Sequence, residues 1–166
     1  MRSIRVVALT LLITCTGALS QPTSQIPQGV HETKKEIAHV LTAIVRGLEM
    51  LNADTLFQSY ANTPEFMFFM TDGSMAGYEA AKEHHVKWFA SLSALRVTTV
   101  AERTVILPGD MAVCAWRAHF AMVFTTGGKA GGDLGITLLF VKSGGVWRVA
   151  YQQTAQYPPA QKPAGK

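Results

Sequence analysis

The sequence predicts an α+β domain in which three helices precede four long antiparallel strands. Two patterns support this prediction. Apolar residues recur every three or four positions in the first part of the chain, and from Leu95 onward they form long strand-like runs separated by short turns. With 48% hydrophobic and 16% charged residues, the chain can form one compact core and is not a disordered protein. Helices followed by a block of strands pack on one face of the resulting sheet.

The helices are predicted from spacing and capping. The first covers residues 31–51, because five apolar residues recur there at helical spacing: Ile37, Leu41, Ile44, Leu48 and Leu51. Asp54 is the expected N-cap of a short second helix that runs to about Ala61. Residues 65–70 form a short strand, and a third helix covers residues 78–92.

Four strands complete the domain, over residues 95–107, 111–124, 134–141 and 147–157. Pro108, Gly109 and Asp110 predict a tight hairpin between the first two. A glycine-rich turn is expected over residues 125–132.

The first twenty residues are predicted to be a secretory signal peptide. Arg2 and Arg5 form its basic start, residues 6–13 its apolar core, and small residues at 18 and 20 precede cleavage before Gln21. The apolar stretch is far shorter than the ~20 residues of a membrane-spanning helix, so no span is expected in the mature chain. We expect an exported protein, periplasmic or secreted. A lipid anchor at Cys15 is disfavoured, because Thr precedes it.

Residues 21–30 are predicted to be a linker, 31–157 the folded domain, and 158–166 a disordered tail. Without Arg2 and Arg5 the chain has 15 − 2 = 13 basic against 11 acidic residues, a net charge of +2, and no basic cluster. Nucleic-acid binding is therefore disfavoured. Cys114 lies within an apolar strand and is expected to be a buried, inert thiol.

Three stretches carry a family resemblance: residues 48–56 with Tyr60, the short strand that leads to Asp72 and Gly73, and the closing hairpin at 137–149. Over about residues 36–155 the chain resembles the nuclear transport factor 2-like superfamily, which includes SnoaL-like polyketide cyclases, ketosteroid isomerases and calcium/calmodulin-kinase association domains. The resemblance implies a cone-shaped fold, with three N-terminal helices packed on a strongly curved antiparallel sheet. It also implies a ligand site in the mouth of the cone.

Ketosteroid isomerase chemistry is not expected. That reaction needs a carboxylate base and a second, protonated carboxyl group. Alignment with the isomerases places Phe69 or Met70 at the position of the base and Thr137 at that of the second acid, and none of these side chains can replace a carboxyl group.

The strand at 111–124 leaves two alternatives open. Arg117 and His119 occupy odd positions, whereas Trp116 and Phe120 occupy even ones. If the odd face lines the cavity, a cation and an imidazole there could bind an anionic or carbonyl group and move a proton. If the even face is inward, both groups are solvated. Alignment with the isomerase strand favours the odd face inward and directs Trp116 and Phe120 toward a dimer partner.

Other candidates lie on the helices and the closing strand. His85 and Trp88 share the apolar face of the third helix, where a core histidine and a catalytic one are both possible. Tyr60 could donate to a substrate carbonyl or pack against the first strand. The resemblance places Tyr151 and Gln153 where many SnoaL-like relatives carry a His-x-His pattern. The candidate set is catalytic His119, Tyr60 and His85, and ligand-binding Arg117, Trp88, Phe69, Tyr151 and Gln153.

Three functions remain open at this stage. The first is an exported domain that binds a small apolar or carbonyl-bearing ligand, with or without weak acid–base chemistry. The second is a SnoaL-like lyase or isomerase of the dehydratase or cyclase type, using His119 with Tyr60 or Arg117. The third is an assembly module without catalysis. No metal or cofactor is expected, because no residue spacing resembles a zinc site. A homodimer is expected under all three, since the even face of the 111–124 strand would otherwise expose a large apolar patch.

Overall fold

The computed structural model describes residues 28–156, which form three helices on a curved six-stranded sheet. Their order is α1 (Gln28–Glu49), α2 (Ala53–Phe57), β1 (Met67–Phe69), β2 (Met75–Ala76), α3 (Tyr78–Ala90), β3 (Leu92–Leu107), β4 (Met111–Phe124), β5 (Lys129–Ser143) and β6 (Val146–Gln156). The strand order across the sheet is β2-β1-β6-β5-β4-β3. Only β1 and β6 are parallel; the other four pairs are antiparallel.

The predicted α+β class and cone-type architecture are confirmed. The predicted signal peptide, Cys15, most of the linker and the tail after residue 157 lie outside the described residues. Within the described range, no helix is both long and apolar enough to cross a membrane.

Helix α1 packs along the inner face of the sheet through its predicted apolar positions. Ile37, Leu41, Ile44 and Leu48 are all buried. Two glutamates fix the helix to the strands. Near the start of the helix, Glu36 accepts hydrogen bonds from Lys142 Nζ at 2.8 Å and Trp147 Nε1 at 2.7 Å. At its end, Glu49 accepts one from the backbone N–H of Val97 at 3.0 Å. These contacts position α1 as one wall of an internal cavity.

Helix α2 is shorter than predicted and has a different cap. Asn52, not Asp54, is the N-cap, and its side chain accepts from the backbone N–H of Thr55 at 2.8 Å. The helix ends at Phe57 because the following residues pair with β6. The backbone N–H of Ala61 donates to Val149 O at 2.8 Å, and the backbone N–H of Val149 donates to Ser59 O at 2.9 Å.

Strand β4 directs its even-numbered side chains inward, so the expectation that the odd face lines the cavity is wrong. The inward residues are at most 5% exposed: Ala112, Cys114, Trp116, Ala118 and Phe120. Arg117 and His119 are exposed on the opposite, outer face. The physical reason is size, because the largest apolar side chains of the strand are on its even face and pack under the helices.

Two further observations concern β4 and β5. The turn between β4 and β5 occupies only residues 125–128, so Gly131 and Gly132 belong to β5. Cys114 is fully buried, and burial raises the pKa of its thiol to about 11. This agrees with the predicted inert thiol, because the reactive thiolate is strongly disfavoured.

Candidate functional site

A cavity of about 910 Å³ lies between helices α1 and α3 and the inner face of the sheet. Its walls are mainly apolar and aromatic, with a few polar groups. Helices supply Ile44, Leu48, His84, His85 and Trp88, and the first strand region supplies Tyr60, Phe68, Met70 and Thr71. The long strands supply Trp116, Arg117, Phe120, Met122, Gly131, Gly132, Asp133, Leu134, Ile136, Gln152, Thr154 and Gln156.

His85 presents one imidazole nitrogen toward this cavity. Its Nδ1 lies 2.8 Å from Ala81 O, one turn earlier in α3, and because a carbonyl only accepts, Nδ1 carries the proton. Among residues 28–156, Nε2 has no hydrogen-bond partner. Every fully buried polar side-chain atom in the same range does have a hydrogen-bond partner. Nε2 therefore keeps accessible surface, and His85 lines the cavity. Burial lowers the pKa of His85 to about 4, so the ring is neutral at physiological pH.

A second polar feature lies on the part of the cavity wall that β6 forms. Tyr60 Oη donates to Gln152 Oε1 at 2.7 Å, and Gln152 Nε2 donates to Thr154 Oγ1 at 3.2 Å. Tyr60 is 4% exposed, and burial raises its pKa well above the ordinary tyrosine value. The tyrosine therefore remains a protonated donor, and the chain of hydrogen bonds holds the polar side chains of β6 in place.

A β-bulge in β6 places Gln152 and Thr154 at the cavity, rather than Tyr151 and Gln153, which the family resemblance indicated. Phe140 pairs with Val149, but Leu139 pairs with Tyr151, so Ala150 is an extra residue in β6. Strict alternation from the buried Val149 would place Tyr151 and Gln153 inside. The bulge shifts the alternation by one residue, and these two side chains lie on the outer face, where Tyr151 Oη donates to Gln153 Oε1 at 3.2 Å.

Phe69 is also outside the cavity. It is half-buried and contacts the Tyr151 ring at 5.7 Å between centroids, whereas its neighbour Phe68 is buried and lines the cavity. Of the predicted candidates, Tyr60, His85 and Trp88 line the cavity, and Arg117 borders its rim. The structure places His119, Phe69, Tyr151 and Gln153 elsewhere.

Arg117 and His119 share a carboxylate that the sequence analysis did not single out. Arg117 Nη2 lies 2.6 Å from Asp133 Oδ2, and His119 Nδ1 lies 2.7 Å from Asp133 Oδ1. The hydrogen bonds from His119 and Arg117 lower the pKa of Asp133. Arg117 and Asp133 also border the cavity rim, but we assign their charged groups to the outer face, because Arg117 alternates with the buried Trp116 and Ala118. The β4–β5 register, which pairs His119 with Asp133, is the signal that locates this carboxylate.

Comparison with known proteins gives the family. The family model for the SnoaL-like domain matches residues 37–158. This chain belongs to the SnoaL-like family. No functionally curated protein is detectably similar to this SnoaL-like protein in sequence. Among residues 28–156, no group of three or more His, Cys, Asp or Glu side chains could hold a metal ion.

Solved structures share the fold of this SnoaL-like domain. A nuclear transport factor 2-like superfamily protein from Salmonella enterica serovar Typhimurium is 16% identical, with a TM-score of 0.73 over 82% of this chain and 99% of that one. A hexachlorocyclohexane dehydrochlorinase is 10% identical, with a TM-score of 0.67 over 79% and 97%. The association domain of C. elegans CaMKII is 14% identical, with a TM-score of 0.62 over 76% and 97%. At these identities the similarity shows the fold alone.

Proposed function

We propose that this SnoaL-like domain binds a small, largely apolar organic molecule in its cavity, and that His85 Nε2 accepts a hydrogen bond from a hydroxyl or N–H group of that molecule. The accessible Nε2 atom in an aromatic-walled cavity is the observation that carries the proposal. Because Nδ1 is committed to Ala81, Nε2 offers a lone pair and no proton. The cavity volume also falls in the range of small-molecule sites, about 300–1,000 Å³.

The low pKa of His85 favours binding over proton transfer. A general base is most effective when its pKa is close to the working pH. An imidazole with a pKa of about 4 takes up a proton poorly at neutral pH. The Tyr60 hydroxyl group donates a hydrogen bond to Gln152 Oε1, so its proton is not available for transfer to a ligand.

Two probes that differ in one hydrogen-bond donor test the proposal. Binding of 2-naphthol and of 2-methoxynaphthalene is measured by isothermal titration calorimetry with the wild type and with His85→Phe. The wild type should prefer 2-naphthol. His85→Phe keeps a ring but removes the acceptor, so its affinity for 2-naphthol should fall about tenfold, as expected for one lost hydrogen bond. Binding of 2-methoxynaphthalene should be nearly unchanged.

His119→Phe is the matched control, because it makes the same chemical change on the outer face. It should leave the affinity for both probes unchanged, and circular dichroism should show that both variants are folded. If His85→Phe retains the wild-type preference for 2-naphthol, or if the wild type binds neither probe, the proposal is wrong.

A lyase or isomerase remains a second candidate, now with His85 in place of His119. The supporting observation is that the accessible, tautomer-fixed base of the cavity is His85, whereas His119 lies on the outer face. Deuterium uptake into 2-tetralone in D₂O measures proton removal beside a carbonyl. A His85-dependent rate that rises through pH about 4 and is constant above it would support this function. Equal uptake by the wild type and His85→Phe would exclude it.

We also propose that the protein is a homodimer that associates through the outer face of the sheet. The strand registers align one apolar row across that face: Met67, Tyr151, Leu139, Val113 and Val105. Met67 is 40% and Val105 48% exposed. This row, rather than Trp116 and Phe120, is the apolar surface that a partner would cover. The similarity to an association domain supports an assembly role.

Sedimentation equilibrium tests this association. The wild type should be a dimer, and Val113→Lys, which places a charge in the middle of the row, should be a monomer. Val86→Lys is the control, because it makes the same substitution at another exposed valine, 52% exposed, that lies on α3 and not in this row. A monomeric wild type, or equal dissociation of both variants, would contradict the proposal.

Export is the remaining proposal. It is supported by the basic, apolar and small-residue regions of residues 1–20. Mass spectrometry of the protein recovered from its host should show Gln21 as the first residue; an intact Met1 would exclude this cleavage.

A further inference from the structure

We propose that the ligand is elongated, and that its apolar end leaves the cavity past Gly132, which keeps this side of the cavity open. The inference rests on the proposed binding function and adds the ligand's shape and a residue that selects for it. Gly132 is exposed and lines the cavity, so it lies at the opening of the cavity.

The register places the missing side chain of Gly132 over the cavity. Gly132 is directly opposite Phe120 in the β4–β5 ladder, and residues directly opposite each other share a face of the sheet. Phe120 is 5% exposed and lines the cavity, as Gly132 does. A side chain at position 132 would thus extend from the inner face into this space.

The two adjacent glycines of β5 differ in what a side chain would meet. A Cβ at Gly131 would lie 2.8 Å from Phe120 O, so the close approach of the backbone requires glycine there. A Cβ at Gly132 would meet no atom within 4 Å among the described residues, and its backbone is not in the left-handed region. Neither the backbone geometry of Gly132 nor its packing against residues 28–156 requires glycine at this position. The effect of glycine is to leave open space.

The polarity of the walls gives the orientation of the ligand. The buried polar groups, His85, Tyr60 and Gln152, are 4% to 8% exposed and hold the polar end. Near Gly132 the inner face of β4 and β5 carries the apolar Phe120, Met122 and Leu134, whereas the charged Asp133 pairs with His119 on the outer face. An alcohol or phenol with an extended hydrocarbon chain matches this arrangement of polar and apolar walls, since its hydroxyl group reaches His85 and its hydrocarbon chain passes Gly132.

A homologous pair of probes tests this shape. Binding of 4-ethylphenol and 4-octylphenol is measured with the wild type and with Gly132→Leu, whose side chain would occupy the space that the longer chain needs. The affinity for 4-octylphenol should fall about tenfold or more, because methylene groups buried in the wild type lose their contacts. The affinity for 4-ethylphenol should stay within about twofold.

Gly29→Leu is the control, because Gly29 also has no atom within 4 Å of an added Cβ but does not line the cavity. This variant should bind 4-ethylphenol and 4-octylphenol with the wild-type affinity. Gly132→Ala, a smaller change, should give an intermediate loss for 4-octylphenol and guards against a misfolded leucine variant.

The outcomes separate this inference from the binding function. The elongated ligand is excluded if both Gly132 variants bind 4-octylphenol with the wild-type affinity. It is also excluded if they lose the same fraction of their affinity for 4-ethylphenol and for 4-octylphenol. The binding function still stands in that case if 4-ethylphenol binding by the wild type is reduced in His85→Phe. If the wild type binds neither phenol, both the inference and the binding function are wrong.

Discussion

His85 is a histidine in an almost entirely aromatic environment. The rings of Phe57, Phe68, Trp88 and Phe89 lie 5.3 to 5.8 Å from its own, centroid to centroid. Its one hydrogen-bond partner in the described structure is a backbone carbonyl, and no carboxylate is paired with it. Burial therefore disfavours the imidazolium ion, and the pKa falls from its ordinary value of 6.5 to about 4.

This lowered pKa predicts a stability that falls on mild acidification. Between pH 4 and 6.5 the unfolded chain binds more protons at His85 than the folded protein does, so the free energy of unfolding rises with pH in this window. We expect urea unfolding to give a free energy about 2 kcal/mol lower at pH 5 than at pH 7. His85→Phe should lose this difference.

The comparison between pH 5 and pH 7 lies above the ordinary pKa values of the carboxylates. Hydrogen bonds lower the pKa values of Asp72 and Asp133 from 3.8 and those of Glu36 and Glu83 from 4.5, so most of the stability that these groups contribute is lost below pH 5. His119→Phe serves as the matched histidine control. An equal loss of the pH dependence in both variants would show that His85 is not its source.

Secondary-structure elements show where sequence reasoning succeeds and where it fails. Helical spacing correctly placed His85 and Trp88 toward the interior, because Ala81, His85 and Phe89 form the buried face of α3 and Trp88 lies beside it. In β4 both faces carry apolar residues, so alternation alone could not decide between Trp116 and His119. In β6, the extra residue Ala150 changes the alternation, and such a bulge depends on pairing with a distant strand.

The crossing of α1 and α2 gives a prediction about two glycines in one helix. A Cβ at Gly47 would lie 2.6 Å from Leu56 Cα, whereas one at Gly29 would meet nothing within 4 Å. Gly47→Ala should lower the free energy of unfolding by about 2 kcal/mol, because the backbones must separate. Gly29→Ala should leave it unchanged or raise it by up to about 1 kcal/mol through helix propensity. Chemical denaturation compares the two; equal effects would contradict the close approach.

At the scale of the whole molecule, the order of elements was sufficient to predict the α+β class, and the family resemblance added the cone shape. Three helices and four hairpin-linked strands are local features, and each was recognised from spacing and turn residues. The parallel pairing of β1 with β6 was not predicted, because Met67 and Tyr151 are far apart in the chain and nothing local links them. That pairing completes the sheet around the cavity, so the polar wall at Gln152 could not be predicted either.

A cavity in the folded domain couples ligand binding to global stability. A ligand that binds only the folded state raises the free energy of unfolding by about 2.7 kcal/mol at a concentration one hundred times its dissociation constant. Thermal unfolding of the wild type should therefore shift upward in 2-naphthol, and at the same concentration His85→Phe should shift less. The Gly29→Ala variant, unaltered in the cavity, should shift as the wild type does. Equal shifts in all three would contradict a role for His85.

The extra residue in β6 has a consequence for how this domain can change over evolution. Because Tyr151 already pairs with Leu139, loss of Ala150 alone would restore regular pairing and leave Gln152 and Thr154 on the ligand side. Tyr151 and Gln153 would still lie on the outer face. A single-codon deletion could thus shorten β6 without changing the groups that a ligand meets, so the length of this strand can vary while ligand preference is kept.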